Sequence, residues 1–112
     1  MKRYPDIINI EQATPTSATL NLFIPNDVVF FQGHFPARLV LPGVVQIDWV
    51  IFFAQKYFCV ALQRPPRMEH VKFTNIIKPE TKLFLTMQLD GSALSFKYFA
   101  DQVIYSVGKI TL

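Results

Sequence analysis

Between Pro42 and the run Arg64-Pro65-Pro66 lies the segment that most narrows the choice of fold. From Val44 to Leu62 it carries apolar residues on nearly every helical face, interrupted by Gln46, Asp48, Gln55 and Lys56. Pro42 suits a first helical turn, where its missing N–H costs nothing. The paired prolines stop the segment, because proline cannot continue a helix. About 20 residues lie between, enough for ~30 Å of helix. A helix that is apolar all round must be buried within protein. Its polar interruptions argue against a bilayer span, which needs ~20 nearly unbroken apolar residues.

The flanks have a different period. Ala18, Leu20, Leu22 and Ile24 alternate with Thr19, Asn21 and Phe23, the pattern of a half-buried strand. Leu83, Leu85, Met87 and Leu89 repeat it, and Asp90-Gly91 supplies a hairpin turn that tolerates positive φ. Leu94, Phe96, Tyr98 and Ala100 continue the alternation, followed by Val103, Tyr105 and Val107. Arg67 to Lys78 reads as a further strand, with Pro79-Glu80 in the turn after it. One long buried helix with five or six antiparallel strands implies an α+β fold: an antiparallel sheet curled around one central helix, the hotdog arrangement. A helix on one face of an open sheet is the nearest alternative. No repeat or linker divides residues 1–112, so we expect one domain.

Composition adds a constraint. Of 112 residues, 51% are apolar and 11 are Phe, while only 17% are charged. A domain this short leaves roughly a third of its unfolded surface wet. The apolar surplus therefore calls for a cover: a partner subunit, an apolar ligand or a membrane. Disorder is excluded by the same numbers, and a disulfide framework by the single Cys59. Met1-Lys2-Arg3-Tyr4-Pro5-Asp6 has no apolar run after its basic residues, so we read no secretory signal and expect a cytoplasmic protein. The net charge of +3 is too small and dispersed for a nucleic-acid face.

Three positions could carry chemistry. Asp48 sits one and a half turns into the helix, where a carboxylate is expensive unless paired; it is either a functional acid or a group bonded to backbone or to a lysine at a subunit boundary. His34, in Gly33-His34-Phe35-Pro36, is a candidate proton acceptor or a packed loop histidine. Gly43 follows Pro42 at the helix start, where free N–H groups can polarise a carbonyl oxygen or where small size merely permits close packing. His70 has no metal-ligand partner at useful spacing, and Cys59 reads as a packed thiol. No phosphate loop, dinucleotide fingerprint or Cys/His cluster is present, so no cofactor or metal is implied.

Gly33-His34-Phe35-Pro36, then Val40-Leu41-Pro42-Gly43-Val44-Val45, then Asp48 resemble the signature of the 3-hydroxyacyl-(acyl-carrier-protein) dehydratases of the FabA/FabZ type, nearest the short ApeI-like aryl-polyene enzymes. The acid follows the histidine by 14 residues, as in that family. Val71-Lys72-Phe73 and Lys78-Pro79 resemble the strand after the family's helix. The resemblance implies that His34 removes the α-proton of a 3-hydroxyacyl thioester and that Asp48 helps protonate the departing hydroxyl. It implies that the Gly43 backbone N–H holds the thioester oxygen, with Phe31, Val44 and Phe52 against the substrate. The implied partners are acyl carrier protein, with Arg38 best placed to meet it, and a second copy of the chain, the histidine and the acid of one site coming from different subunits. Phe30, Phe53 and Trp49 are candidates for core, channel or interface. The sequence departs from the pattern at Leu39, where proline is common, and at Phe52, where a glutamine often orients the acid. Aspartate in place of glutamate resembles the decanoyl-specific branch. Two alternatives stay open: an acyl-thioester hydrolase of the same fold, and a non-catalytic acyl-binding subunit.

Overall fold

The computed structural model describes residues 2–28, 40–62 and 64–112. Among the described residues, six strands and one helix follow the order β1 (Asp6–Ala13), β2 (Ser17–Phe23), α1 (Gly43–Phe58), β3 (Arg67–Phe73), β4 (Lys82–Asp90), β5 (Ala93–Ala100) and β6 (Val103–Thr111). The strands form one antiparallel sheet in the order β1-β2-β4-β5-β6-β3. The sheet wraps α1, which is the hotdog arrangement the alternation and the buried helix imply.

Alternation sets which face of each strand meets the helix. On β2, Ala18, Leu20 and Leu22 point inward; on β4, Leu83, Leu85 and Met87; on β5, Leu94, Phe96 and Tyr98. All are buried, and they close on Trp49, Val50, Phe53 and Ala54 from the helix. Trp49 is fully enclosed and donates its indole N–H to the Arg3 carbonyl at 3.1 Å. Lys2, ion-paired with Asp6 at 2.7 Å, bridges to Val28, which ties the N-terminal residues to the fold while the Lys2 side chain stays exposed.

Several elements depart from the sequence reading. The helix has 16 residues and ends at Phe58, before the prolines, because Cys59 turns into the left-handed region (φ 53°). Cys59 is thereby exposed at the helix end and is not a packed thiol. The helix is not buried all round: Val44, Asp48, Gln55 and Lys56 are exposed, so one stripe lies open in the single chain. β3 stops at Phe73, short of Lys78, because Thr74 and Asn75 turn their N–H groups onto the Tyr105 carbonyl. His70, at φ 54°, forms a bulge between Glu69 and Lys72 and is exposed. The β4–β5 loop comprises Gly91 and Ser92, one residue later than the Asp90-Gly91 reading, since Asp90 still pairs with Ala93 and only Gly91 takes a positive φ (64°). β6 runs on to Thr111, and a register shift after Tyr98 places Ser106 and Ile110 inward in place of Tyr105 and Val107.

Gly108, opposite Phe96 on β6, is a position where size matters: an added Cβ would lie 2.7 Å from Val71 Cγ2 and 2.8 Å from Phe96 Cε2. Gly108→Ala is expected to lower stability by about 1–3 kcal/mol, the usual cost of overpacking. Gly43→Ala meets only the exposed ring of Phe73, which can swing aside, so its loss should stay under about 1 kcal/mol. Urea midpoints of the two variants check the order.

Candidate active site

The helix start is the chemically distinctive part of the molecule. Pro42 has extended backbone (ψ 147°), and no side chain caps the first turn. Its carbonyl accepts the N–H groups of Val45 at 3.1 Å and Gln46 at 3.2 Å. A trans peptide points its N–H opposite to its C=O. The Gly43 N–H is therefore aimed out of the helix, where no intrahelical partner exists. Gly43 itself lines a cleft of about 320 Å³ together with Val40, Leu41, Pro42, Gln46 and Phe73–Ile76. That volume is at the small end for a ligand site.

Val44, Asp48 and Phe52 recur at every fourth residue and so share one helix face. Val44 is 75% exposed. Asp48 is exposed too, contrary to the expectation of a buried acid, because the stripe it lies on has no sheet over it. Among the described residues no hydrogen bond or ion pair engages its carboxylate. Phe52 is half-buried, its ring stacked on Tyr4 at 3.9 Å between centroids. Asp48 follows Gly43 by five residues, about 7.5 Å along the axis. Helical side chains lean toward the N-terminus, which shortens the reach from carboxyl to amide. Trp49 and Phe53 belong to the core. His34, Phe30, Phe31, Arg38 and Leu39 lie outside the described residues.

Behind the first turn is a buried polar cluster that the sequence did not single out. Gln46, 3% exposed, donates its amide to the Leu41 carbonyl at 3.2 Å and accepts the Ser106 hydroxyl at 2.7 Å. The Tyr98 hydroxyl donates to the Gln46 backbone carbonyl at 2.8 Å. Burial pushes the Tyr98 phenol well above its ordinary range, and the nearby Asp48 charge adds to the rise. In the sequence Gln46 looks like one more break in an apolar run, and the alternation Val103, Tyr105, Val107 leaves Ser106 at an outward position, so no sequence signal marks the pair.

A depression of about 470 Å³ on the outer sheet face is lined by Ser17, Thr19, Thr86, Gln88, Ser95 and Lys97, with Met87 and Phe96. It lacks an acid, a histidine or a free helix end. Among the described residues no group of His, Cys, Asp and Glu could hold a metal, and no helix is long and apolar enough to cross a membrane.

A six-stranded antiparallel sheet wrapped around one helix defines a hotdog fold. The family model described as ApeI dehydratase, ApeI-like, matches residues 10–109. The chain belongs to the ApeI-like dehydratase family. A curated relative, the 3-hydroxyacyl-(acyl-carrier-protein) dehydratase FabZ of Caldicellulosiruptor saccharolyticus, is 28% identical over 119 aligned positions, covering 91% of this chain and 84% of that protein. Among solved structures, the dehydratase heterocomplex ApeI:P from Xenorhabdus doucetiae matches with a TM-score of 0.86 and 35% identity, over 96% of both chains. An uncharacterized protein from Erwinia carotovora subsp. atroseptica matches with a TM-score of 0.75 and 27% identity, over 96% of this chain and 94% of that one.

Tyr98 gives a pH test of the cluster. An unfolded phenol ionises near pH 10, whereas the buried one holds its proton higher. Above about pH 10 the unfolded state binds fewer protons, so stability falls as pH rises from there toward the folded value. Tyr98→Phe should lose about 0.5–1.5 kcal/mol at pH 7 with the hydroxyl bond. It should also lose part of the alkaline decline, by up to about 1.4 kcal/mol per pH unit. Urea titrations at pH 7 to 11 on both proteins measure the difference.

Proposed function

We propose that this chain converts a 3-hydroxyacyl thioester, carried on acyl carrier protein, to the trans-2-enoyl thioester and water in fatty-acid or polyene-type lipid biosynthesis. The observation that carries the reading is the pairing on one helix of the Gly43 amide, which lies outside the intrahelical ladder, with an exposed Asp48 carboxyl one and a half turns further on that no hydrogen bond or ion pair engages among the described residues. The thioester oxygen accepts the Gly43 N–H, and His34 takes the proton from C2. The electrons of the broken C2–H bond pass into an enolate, whose negative oxygen the amide and the helix dipole stabilise. The enolate then reforms the carbonyl, the C2=C3 bond forms, and the C3–O bond breaks. Asp48 helps pass the proton that His34 took, directly or through water, to the leaving hydroxyl, so the C2 proton departs in the product water and His34 is restored. Val44 and Phe31 meet the acyl chain, with Phe52 as a wall backed by Tyr4. No step calls for a cofactor or metal.

We further infer a homodimer with composite sites. Met68 and Phe73 stand opposite the buried residues Ile110 and Ser106, so they are on the inner sheet face. They are nonetheless exposed, as are Val44 and Ile76 beside them. Strand β3 is at the end of the sheet, with one side unpaired. A second copy set against this edge would cover the apolar face, and by the family resemblance it would supply the His34 that works with this Asp48. The Xenorhabdus doucetiae relative is a heterocomplex, which makes a different chain the rival occupant.

Purified protein offered 3-hydroxyacyl thioesters should form enoyl product, read by ultraviolet absorbance; free thiol without enoyl product would instead indicate a hydrolase. His34→Ala and Asp48→Asn alone should each lower kcat by at least about 10²-fold. Refolded together, they should regain activity, because one site of a mixed dimer is intact. Confirmed mixed dimers without recovery would overturn the composite site.

A further inference from the structure

We propose that Gln46 is a positioning residue for this reaction: clamped between the Leu41 carbonyl and the Ser106 hydroxyl, its side chain sets the direction of the Gly43 amide. The inference rests on the reading of that amide as the thioester-oxygen donor and names what holds it in place.

Three bonds converge on this one residue. Its side-chain N–H reaches back to Leu41, its side-chain oxygen takes the Ser106 hydroxyl from β6, and its main-chain carbonyl takes the Tyr98 hydroxyl from β5. Leu41 is thus held on both sides, since its own N–H bonds the Ile77 carbonyl at 2.8 Å. Between Leu41 and Gly43 stands only Pro42, whose ring fixes φ near −60°. One soft angle remains, the ψ of Pro42, and it is this angle that turns the Pro42–Gly43 peptide. The Val45 and Gln46 N–H bonds to the Pro42 carbonyl set it. Moving Gln46 therefore rotates the peptide that carries the Gly43 N–H, at a residue that lines the cleft.

Burial alone does not call for this arrangement. A leucine or methionine would fill the same volume without a hydrogen bond to satisfy, and a partly satisfied buried cluster is worse than an apolar one. Here every buried side-chain polar atom among the described residues has a partner. What the cluster supplies beyond packing is direction, which an oxyanion donor needs because its bond must be aligned before charge develops. Gln46 touches no reacting atom in this scheme and acts through Gly43.

The test compares wild type with Ser106→Ala, Ser106→Thr and Gln46→Met, in the intact assembly. Amide hydrogen exchange, resolved by residue, is measured with kcat and KM for one 3-hydroxyacyl thioester. In Ser106→Ala the Val45 and Gln46 amides should exchange at least tenfold faster, with Val50 to Phe53 unchanged. The value of kcat should fall at least tenfold and KM by less than twofold either way, and Ser106→Thr should bring both readouts back toward wild type. Gln46→Met, which keeps volume and removes both side-chain bonds, should reproduce the loss of kcat. Unchanged exchange at Val45 and Gln46 would overturn the clamp. Faster exchange with unchanged kcat, or a loss of kcat that Ser106→Thr leaves in place, would overturn its role in catalysis. A wild-type protein with no dehydratase activity would sink the dehydratase reading, while the exchange data would still decide whether Gln46 holds the first turn.

Discussion

One helix must cover the inside of a six-stranded sheet, and it cannot do so completely. Strands about 4.8 Å apart make such a sheet about 24 Å wide, whereas a helix with its side chains is about 10 Å across. Curling draws β2, β4 and β5 onto Trp49, Val50 and Phe53, where Leu20, Leu22, Leu83, Leu85, Leu94 and Tyr98 are buried. The outer strands remain beyond reach. Ile10, opposite the buried Leu20 on one flank, and Met68, opposite the buried Ile110 on the other, are both exposed. Among the described residues, much of the exposed apolar surface therefore lies at the margins of the sheet, at Ile8, Ile10, Met68 and Phe73, and at Val44 on the open stripe of the helix.

The same geometry explains why acid and amide are accessible. A helix fully enclosed by sheet could present neither the Asp48 carboxyl nor the Gly43 N–H to a substrate. Because the sheet stops at β3, the stripe through Val44 and Asp48 stays open and the cleft beside Phe73 reaches the helix start. The exposure of Asp48 also removes the difficulty of an unpaired carboxylate inside protein. It is solvated until something covers it, and that cover then strengthens every electrostatic contact beneath it.

The regular strands were legible because they obey a strict period of two: Ala18 to Leu22, Leu83 to Met87 and Leu94 to Tyr98 all face the core as their alternation implies. Strand β1 escaped notice because register shifts after Ile7 and Ile10 break that period. Its inward residues Ile7, Ile10 and Ala13 recur every third position, a spacing closer to a helix. A shift in β6 likewise turned Ser106 inward where Tyr105 and Val107 had the apolar claim. That Gly43 and Asp48 share one helix was legible from the segment between Pro42 and the paired prolines. Gln46 was not, because its partners Ser106 and Tyr98 lie 60 and 52 residues away. A polar residue in an apolar run announces nothing until its distant partners are known.

The bulge at His70 has a bearing on solubility. A straight apolar strand with one bare side is a template onto which copy after copy can add without end. Here two residues, His70 and Val71, interrupt the ladder halfway along an edge only seven residues long, and charged Arg67, Glu69 and Lys72 alternate along it. Such an edge offers a short ladder on either side of a kink, so fibre-like growth along it is disfavoured while a closed, countable assembly is not.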